Sequence, residues 1–89
     1  MSYELEISEK LQKIFSKLKK KDKLPLEILK KKIKLILENP FQFKPLRGSM
    51  KGIRRVHIGK SHVLIYEILE NKKIVRLLDY DHHDKIYVG

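Results

Sequence analysis

Residues 44–68, KPLRGSMKGIRRVHIGKSHVLIYEI, change from basic to apolar within one segment of the chain. The part from Lys44 to Lys60 contains six lysines or arginines and no acid. The part from His62 to Ile68 is the most apolar stretch of the chain. A strand that is apolar on both faces belongs in the middle of a sheet, whereas the basic half points to an anionic partner such as a phosphate polymer.

The residues before this segment predict one strand and two helices. Tyr3–Ile7 alternates apolar and acidic side chains, which is the period of a half-buried strand. Ser8 can cap a first helix, and Pro25 suits the start of a second one that stops near Asn39. Each helix has an apolar stripe, formed by Leu11, Ile14, Phe15 and Leu18 in the first and by Leu26, Leu29, Ile33, Ile36 and Leu37 in the second. We expect the two helices to pack as a hairpin.

Glycines and polar turns divide the second half of the chain into short strands. The predicted strands lie at 53–58, 62–69 and 73–79, and a short extended tail follows at 85–88. Together these elements predict a single α+β domain over residues 1–89. It consists of an N-terminal strand, a helical hairpin, and a three-stranded antiparallel meander that completes a small sheet.

The composition limits the class of partner. The chain of 89 residues has a net charge of +10, and eleven lysines lie between Lys10 and Lys34. Nucleic acid is the leading partner. A membrane surface is the second candidate, because a protein that binds membranes in this way would need a broad apolar face opposite its lysines. The sequence has no long apolar run, no signal peptide and no cysteine, so we expect a cytoplasmic protein without disulfides or membrane contact.

Two histidines stand where they could transfer protons. In the strand at 53–58, Arg55 and His57 share one face, and the C-terminal sequence DHHDKIY adds His83 and Tyr87. RNA is cleaved without a metal when its 2'-oxygen attacks the adjacent phosphorus, which requires a base, an acid and cations that stabilise the phosphorane. Histidine suits both proton transfers because it changes charge near neutral pH.

The other two histidines have a structural interpretation. His62 begins the central strand, and His82 is expected to point away from His83. Residues 81–84, DHHD, are an alternative zinc site, since imidazole and carboxylate groups ligate zinc. Adjacent residues of an extended chain point apart, however, so these four would not close on one ion. We therefore expect no metal and no cofactor.

The segment P-L-x-G-S-x-K-G-x-R-x-x-H at 45–57, the apolar L-I-Y at 64–66 and the terminal H-x-x-x-Y at 83–87 resemble the RelE/ParE superfamily of toxins of toxin–antitoxin systems. The YafQ-like branch is the most similar. The resemblance covers about half of the chain, and the order of strand, helix pair and three strands fits the other half. It implies a metal-independent endoribonuclease that cuts mRNA on the ribosome and is inhibited by a short acidic antitoxin.

The resemblance also assigns site residues. YafQ-like proteins place catalytic or RNA-contacting groups at positions that correspond to Lys44, Arg55, His57, Ser61, His83 and Tyr87. Histidine is shared at His57 and His83, and Tyr87 replaces a phenylalanine. Lys44 replaces a histidine, and Arg55 and Ser61 replace acids. Because of these differences, the predicted site contains more lysine, arginine and tyrosine than the sites of YafQ-like proteins.

The combined prediction is an mRNA interferase with two groups of functional residues. The catalytic set is His57, His83, Arg55, Tyr87 and Lys44, and the RNA-binding set is Arg47, Lys51, Arg54, Lys60 and Ser61. The predicted partners are mRNA, the ribosome and a RelB-like antitoxin that forms a heterotetramer with the toxin. Two alternatives stay open: a ParE-like toxin that inhibits DNA gyrase, and a non-catalytic RNA- or ribosome-binding module.

Overall fold

The computed structural model describes residues 3–21, 23–45 and 52–86. The elements in these ranges are β1 (Glu4–Ile7), α1 (Glu9–Lys21), α2 (Leu24–Glu38), β2 (Ile53–Ile58), β3 (His62–Leu69), β4 (Ile74–His82) and α3 (His83–Ile86). The sheet has the strand order β1-β4-β3-β2. Strand β1 runs parallel to β4, and the other neighbours are antiparallel. The predicted α+β fold, with its helical hairpin, its meander and β3 inside the sheet, is confirmed.

Helix α1 begins directly after Ser8, and α2 begins next to Pro25 and ends before Asn39, close to the predicted positions. The Ser8 hydroxyl accepts a hydrogen bond from the Leu11 amide at 3.2 Å and donates one to the Leu78 carbonyl at 3.0 Å. The cap of α1 therefore also joins this helix to β4. Helix α2 has Pro25 in its first turn and ends just before Asn39. No helix in the described part of the chain is long and apolar enough to cross a membrane.

The two sides of the sheet differ in what packs on them. Alternate residues of β2 and β3 pack with the helices, and we call this side the covered face. Its buried members in these two strands are Val56, Ile58, Leu64, Tyr66 and Ile68, which form one core with Leu11, Leu29 and Ile36 of the helices. The residues between them, including Arg55, His57, Val63 and Ile65, lie on the opposite face.

Tyr66 joins the covered face to the segment that follows α2. Its side chain is fully buried, and its hydroxyl donates to the Pro40 carbonyl at 2.6 Å. Pro40 begins a short 3-10 helix, Pro40–Gln42. Burial raises the pKa of Tyr66 to about 12, because an ionised phenolate would be poorly solvated there. The start of the segment after α2 is thus fixed to β3, and Lys44 lies two residues after the 3-10 helix.

The C-terminal part differs from the prediction in two ways. Strand β4 continues to His82, three residues beyond the predicted end at 79. The predicted extended tail at 85–88 is wrong for residues 85 and 86, which belong to α3; residues 87 and 88 lie outside the described ranges. The Asp84 amide donates to Nδ1 of His82 at 3.1 Å, and this side-chain acceptor turns the chain into a helical conformation.

Candidate functional site

Strand β2 presents Arg55 and His57 on the opposite face. Val56 and Ile58 are only 4% and 3% exposed, because they pack against the helices on the covered face. His57 is exposed and Arg55 is half-buried. This alternation confirms the prediction that Arg55 and His57 stand together on the side of β2 away from the helices.

The neighbouring strand places apolar side chains beside these two polar residues. Arg55 pairs in register with Ile65, and His57 pairs with Val63. Val63 and Ile65 are both buried. Charges beside an apolar surface interact more strongly with an anion than charges surrounded by water. The opposite face therefore gives Arg55 and His57 a favourable setting for binding a phosphate.

The structure brings His57 and His83 into contact, although they lie on different elements. Their ring centroids are 6.3 Å apart and their ring planes are inclined by 25°. The His83 amide donates to the Ser61 carbonyl at 2.6 Å, which holds the start of α3 next to the turn between β2 and β3. We call His57 and His83 the outer pair.

Lys44 lies next to β2 through a short backbone bridge. The Arg55 amide donates to the Lys44 carbonyl at 3.0 Å, and Pro45 forms an isolated antiparallel bridge with Arg54. Lys44, Arg55 and His57 line one concave pocket of about 350 Å³. Three of the five predicted catalytic residues thus share a pocket, and His83 is in contact with one of them.

The same pocket contains residues that the sequence did not indicate. Lys32 of α2 lines it together with Gln42 and Phe43. The Lys32 ammonium lies 6.0 Å from the centre of the Phe43 ring. Lys32 is one of eleven lysines in the helical hairpin, and nothing in its local sequence separates it from the others. Only the packing of α2 against β2 identifies it.

Arg54 lies on a different side of β2 from Arg55. Its guanidinium donates to the Phe43 carbonyl at 2.7 Å and lies 5.2 Å from the centre of the Phe41 ring. These contacts hold the segment between α2 and Lys44 in place. Arg54 therefore has a structural role in addition to the RNA-binding role predicted for it, which stays a prediction.

The remaining predicted site residues have less structural information. Lys60 is exposed in the turn between β2 and β3, and the Ser61 hydroxyl lies 3.2 Å from Nδ1 of His62. Arg47, Lys51 and Tyr87 lie outside the described residues. The functions assigned to these five residues stay predictions.

Comparison with known proteins places the chain in a family. Residues 3–87 match the family described as the ParE toxin of type II toxin–antitoxin systems, parDE. The protein belongs to this toxin family. Toxin RelE4 of Methanocaldococcus jannaschii is similar to it, with 47% identity over 85 residues that cover 96% of this chain and 90% of that protein. The predicted membership of the RelE/ParE superfamily is confirmed.

Solved structures of two E. coli toxins share the fold of this toxin. The toxin chain of the DinJ-YafQ toxin–antitoxin complex superimposes with a TM-score of 0.79 at 24% identity, covering 99% of this chain and 100% of that one. A RelE mutant in the free state gives a TM-score of 0.76 at 26% identity, covering 98% and 88% of the two chains. The predicted YafQ-like resemblance thus agrees with the arrangement of the strands and helices.

A second histidine pair of the toxin lies on the covered face. His62 and His82 are direct partners in the pairing of β3 with β4, and their rings meet edge to face with centroids 5.5 Å apart. His62 also stacks on Tyr80 at 5.2 Å, and burial raises the pKa of Tyr80. We call His62 and His82 the packed pair. Its contacts are those of a structural group, as the sequence indicates.

The two histidines of the DHHD segment are directed to different faces, although the Asp84 carboxylate lies 3.7 Å from Nδ1 of His82 and 3.4 Å from Nδ1 of His83. His82 contacts His62 on the covered face, whereas His83 contacts His57 on the opposite face. The Asp81 carboxylate accepts a hydrogen bond from the His82 amide at 2.7 Å. Within residues 3–21, 23–45 and 52–86, no three histidine, cysteine or acidic side chains are grouped so that they could hold a metal ion. The zinc alternative therefore gains no support from the described geometry.

Proposed function

We propose that this toxin is an endoribonuclease that cuts mRNA on the ribosome in the cytoplasm. The observation that supports this proposal most directly is the contact between His57 and His83 beside Arg55 and Lys44. Two imidazoles within reach of one phosphodiester supply a base and an acid, and two cations next to them supply positive charge. The ribosome as the place of action rests on the resemblance to RelE- and YafQ-like toxins.

The proposed reaction is an internal transfer of the phosphoryl group. One histidine removes the proton of the 2'-hydroxyl, and the 2'-oxygen forms a bond to the adjacent phosphorus. The bond from phosphorus to the 5'-oxygen of the next nucleotide breaks, and the other histidine protonates that oxygen. The products are a 2',3'-cyclic phosphate and a 5'-hydroxyl. Which histidine is the base is left open.

The cations have a separate task in this scheme. The phosphorane carries more negative charge than the substrate, so groups that contact its oxygens lower the barrier more than they strengthen substrate binding. Arg55 and Lys44 are placed for this role. Arg47, Lys51, Lys60 and Ser61 would contact neighbouring phosphates or sugars, and Tyr87 would stack against a base.

The test uses ribosome complexes that carry a defined mRNA. The wild-type toxin should cut within the codon of the decoding site and leave a 2',3'-cyclic phosphate or a 3'-phosphate, with 5'-hydroxyl ends on the downstream fragments. EDTA at concentrations that leave the ribosome intact should not change the rate, since the substrate supplies its own nucleophile. Downstream fragments with 5'-phosphate ends would contradict this mechanism.

We also propose a short acidic antitoxin as the partner. The support is the family assignment, the net charge of +10, and the antitoxin found with the structurally similar YafQ. An acidic chain that lies over lysines and a sheet edge would be attracted by charge and by strand pairing. Co-expression with the neighbouring reading frame should raise solubility and give a complex, for which light scattering would test the proposed heterotetramer.

A second candidate is inhibition of DNA gyrase, because the matching family is described by the name ParE. A gyrase inhibitor would need no proton-transfer groups on the opposite face. In a supercoiling assay such a toxin would block gyrase, and mRNA in ribosome complexes would stay intact. A toxin that binds ribosomes but does neither would instead be a non-catalytic binding module.

A further inference from the structure

The pocket beside β2 contains a cation that the proposed chemistry does not require. Lys32 reaches it from α2, whereas Lys44 and Arg55 reach it from the segment before β2 and from β2 itself. His57 also lines this pocket and belongs to the outer pair. The pocket therefore begins at the proposed catalytic centre and extends from there toward α2.

The electrostatics of the pocket favour an anion. None of its seven lining residues is acidic, and three of them are lysine or arginine. Among the described residues, neither Lys32 nor Lys44 forms an ion pair with a carboxylate. Like charges in one concavity repel each other, so a bound anion would relieve this repulsion as well as attract each cation.

The walls of the pocket add an apolar surface. Phe43 and Val56 line it together with the cations, and the Lys32 ammonium lies at the Phe43 ring. A cation over a phenylalanine ring at an exposed site is held weakly, so a phosphate can compete for it. An aromatic ring next to cations is the combination that binds a nucleotide of single-stranded RNA, since the base stacks while the backbone is neutralised.

We infer that this pocket binds one nucleotide of single-stranded RNA next to the scissile bond. Lys32 holds its phosphate, Lys44 stays at the scissile phosphate, and Phe43 contacts its base. The inference rests on the proposed function, because His57 at the edge of the pocket marks the position of the scissile phosphate. It adds Lys32 to the RNA-binding residues and gives α2 a part in positioning the substrate.

The test measures binding without cleavage. A fluorescent trinucleotide RNA with 2'-O-methyl groups lacks the attacking hydroxyl, so anisotropy reports its affinity for the full chain at several salt concentrations. The variants are Lys32→Gln, Lys32→Arg and Lys34→Gln. Lys34→Gln is the matched control, since it removes the same charge from α2 but lies about 200° around the helix from Lys32.

Lys32→Gln should weaken binding at low salt roughly fivefold and should reduce the slope of log affinity against log salt by about 0.7, which corresponds to one lost phosphate contact. Lys32→Arg should keep the wild-type slope, and Lys34→Gln should leave it unchanged. Equal slopes for Lys32→Gln and Lys34→Gln would overturn the inference. If inorganic phosphate bound as tightly as the trinucleotide, the proposed contact of Phe43 with the base would be wrong.

The cleavage assay separates this inference from the proposed function. If wild-type toxin cuts mRNA but the Lys32→Gln and Lys34→Gln slopes agree, the enzyme assignment holds and the nucleotide pocket fails. If no mRNA is cut but Lys32→Gln alone lowers the slope, the RNA pocket holds and the enzyme assignment fails.

Discussion

The two histidine pairs lie at the same end of the sheet but on its two different faces. The outer pair, His57 and His83, meets at 6.3 Å, and both of its members are exposed. The packed pair, His62 and His82, meets at 5.5 Å, and both of its members are half-buried. Histidine therefore occurs once beside Arg55 on the opposite face and once in ring contacts with other side chains of the covered face.

The neighbours of each pair explain the difference. Tyr80 stacks on His62, and the amide of Asp84 uses Nδ1 of His82 as an acceptor. The outer pair stands beside Arg55, which lines a pocket with His57. His82 is the last residue of β4 and His83 the first of α3, so the two consecutive side chains leave the end of the sheet in different directions. The proposed function assigns catalysis to the pair on the opposite face and a structural role to the pair on the covered face.

The largest expected effect concerns the rate of cleavage. His57→Ala or His83→Ala should lower kcat for mRNA in ribosome complexes by about 10²–10⁴-fold with little change in ribosome affinity. The double variant should be little worse than the poorer single one, because groups that act together are not additive. His62→Gln should keep the wild-type rate. If a variant of the packed pair were as inactive as His57→Ala, the two faces would not differ in their contribution to cleavage.

The second effect concerns alkaline stability of the covered face. The pKa of Tyr66 is about 12 in the folded protein, above its value of about 10 in an unfolded chain. The unfolded state therefore loses the proton first, and stability that is present below pH 10 is lost as the pH rises toward 12. The loss attributable to Tyr66 should approach 3 kcal/mol, from about 1.4 kcal/mol for each pKa unit.

Urea unfolding of the wild type and of Tyr66→Phe between pH 9 and about 12 would measure this loss. The phenylalanine variant lacks the ionisable group, so the difference between the two proteins cancels the titration of the lysines. At neutral pH it should be less stable by about 1–2 kcal/mol, because the Pro40 carbonyl loses its donor. A constant difference across this pH range would show that Tyr66 does not titrate with folding.

The third effect concerns the stability of the fold, to which the packed pair should contribute more than the outer pair. His62→Ala should lower the free energy of unfolding by about 1–2 kcal/mol, since it removes two ring contacts from the covered face. His57→Ala should change that free energy by no more than about 0.5 kcal/mol, as expected for an exposed residue. Urea unfolding at neutral pH measures both. A larger loss for His57→Ala would mean that the outer pair also holds the fold together.

The periodic helices and strands of this fold could be predicted from the sequence, whereas the contacts between side chains distant in sequence could not. The strand of alternating residues, the Ser8 cap and the stop at Asn39 depend on local patterns, and the structure contains all three. The turn at α3 depends on a bond from the Asp84 amide to the His82 ring, which an extended-tail prediction cannot anticipate. Local pattern also explains why Arg55 and His57 share a face.

The candidate site shows the same limit. His57 and His83 lie on elements far apart in sequence, so local patterns could not predict their contact. Only the family resemblance suggested that both belong to one site. Lys32 had no such signal. It joins the pocket because α2 packs against β2, and a lysine-rich helix gives no hint of which lysine will face inward. Long-range packing of helix on sheet is therefore the information that the sequence lacked.

The smallest expected effect compares two consecutive arginines. Arg55 lines the pocket beside β2, whereas the Arg54 guanidinium donates to the Phe43 carbonyl. Arg55→Gln should reduce the log–log salt slope of binding to non-cleavable single-stranded RNA by about 0.7. It should lower the rate of cleavage by more than it weakens binding, because a cation at the phosphorane acts mainly in the transition state. Arg54→Gln should reduce the slope by less than Arg55→Gln does, because its guanidinium is already bonded to the Phe43 carbonyl, and should also lower stability, since that carbonyl loses its charged donor. If both variants reduce the slope equally, Arg54 also contacts phosphate, and the face on which a side chain lies would not decide whether it binds RNA.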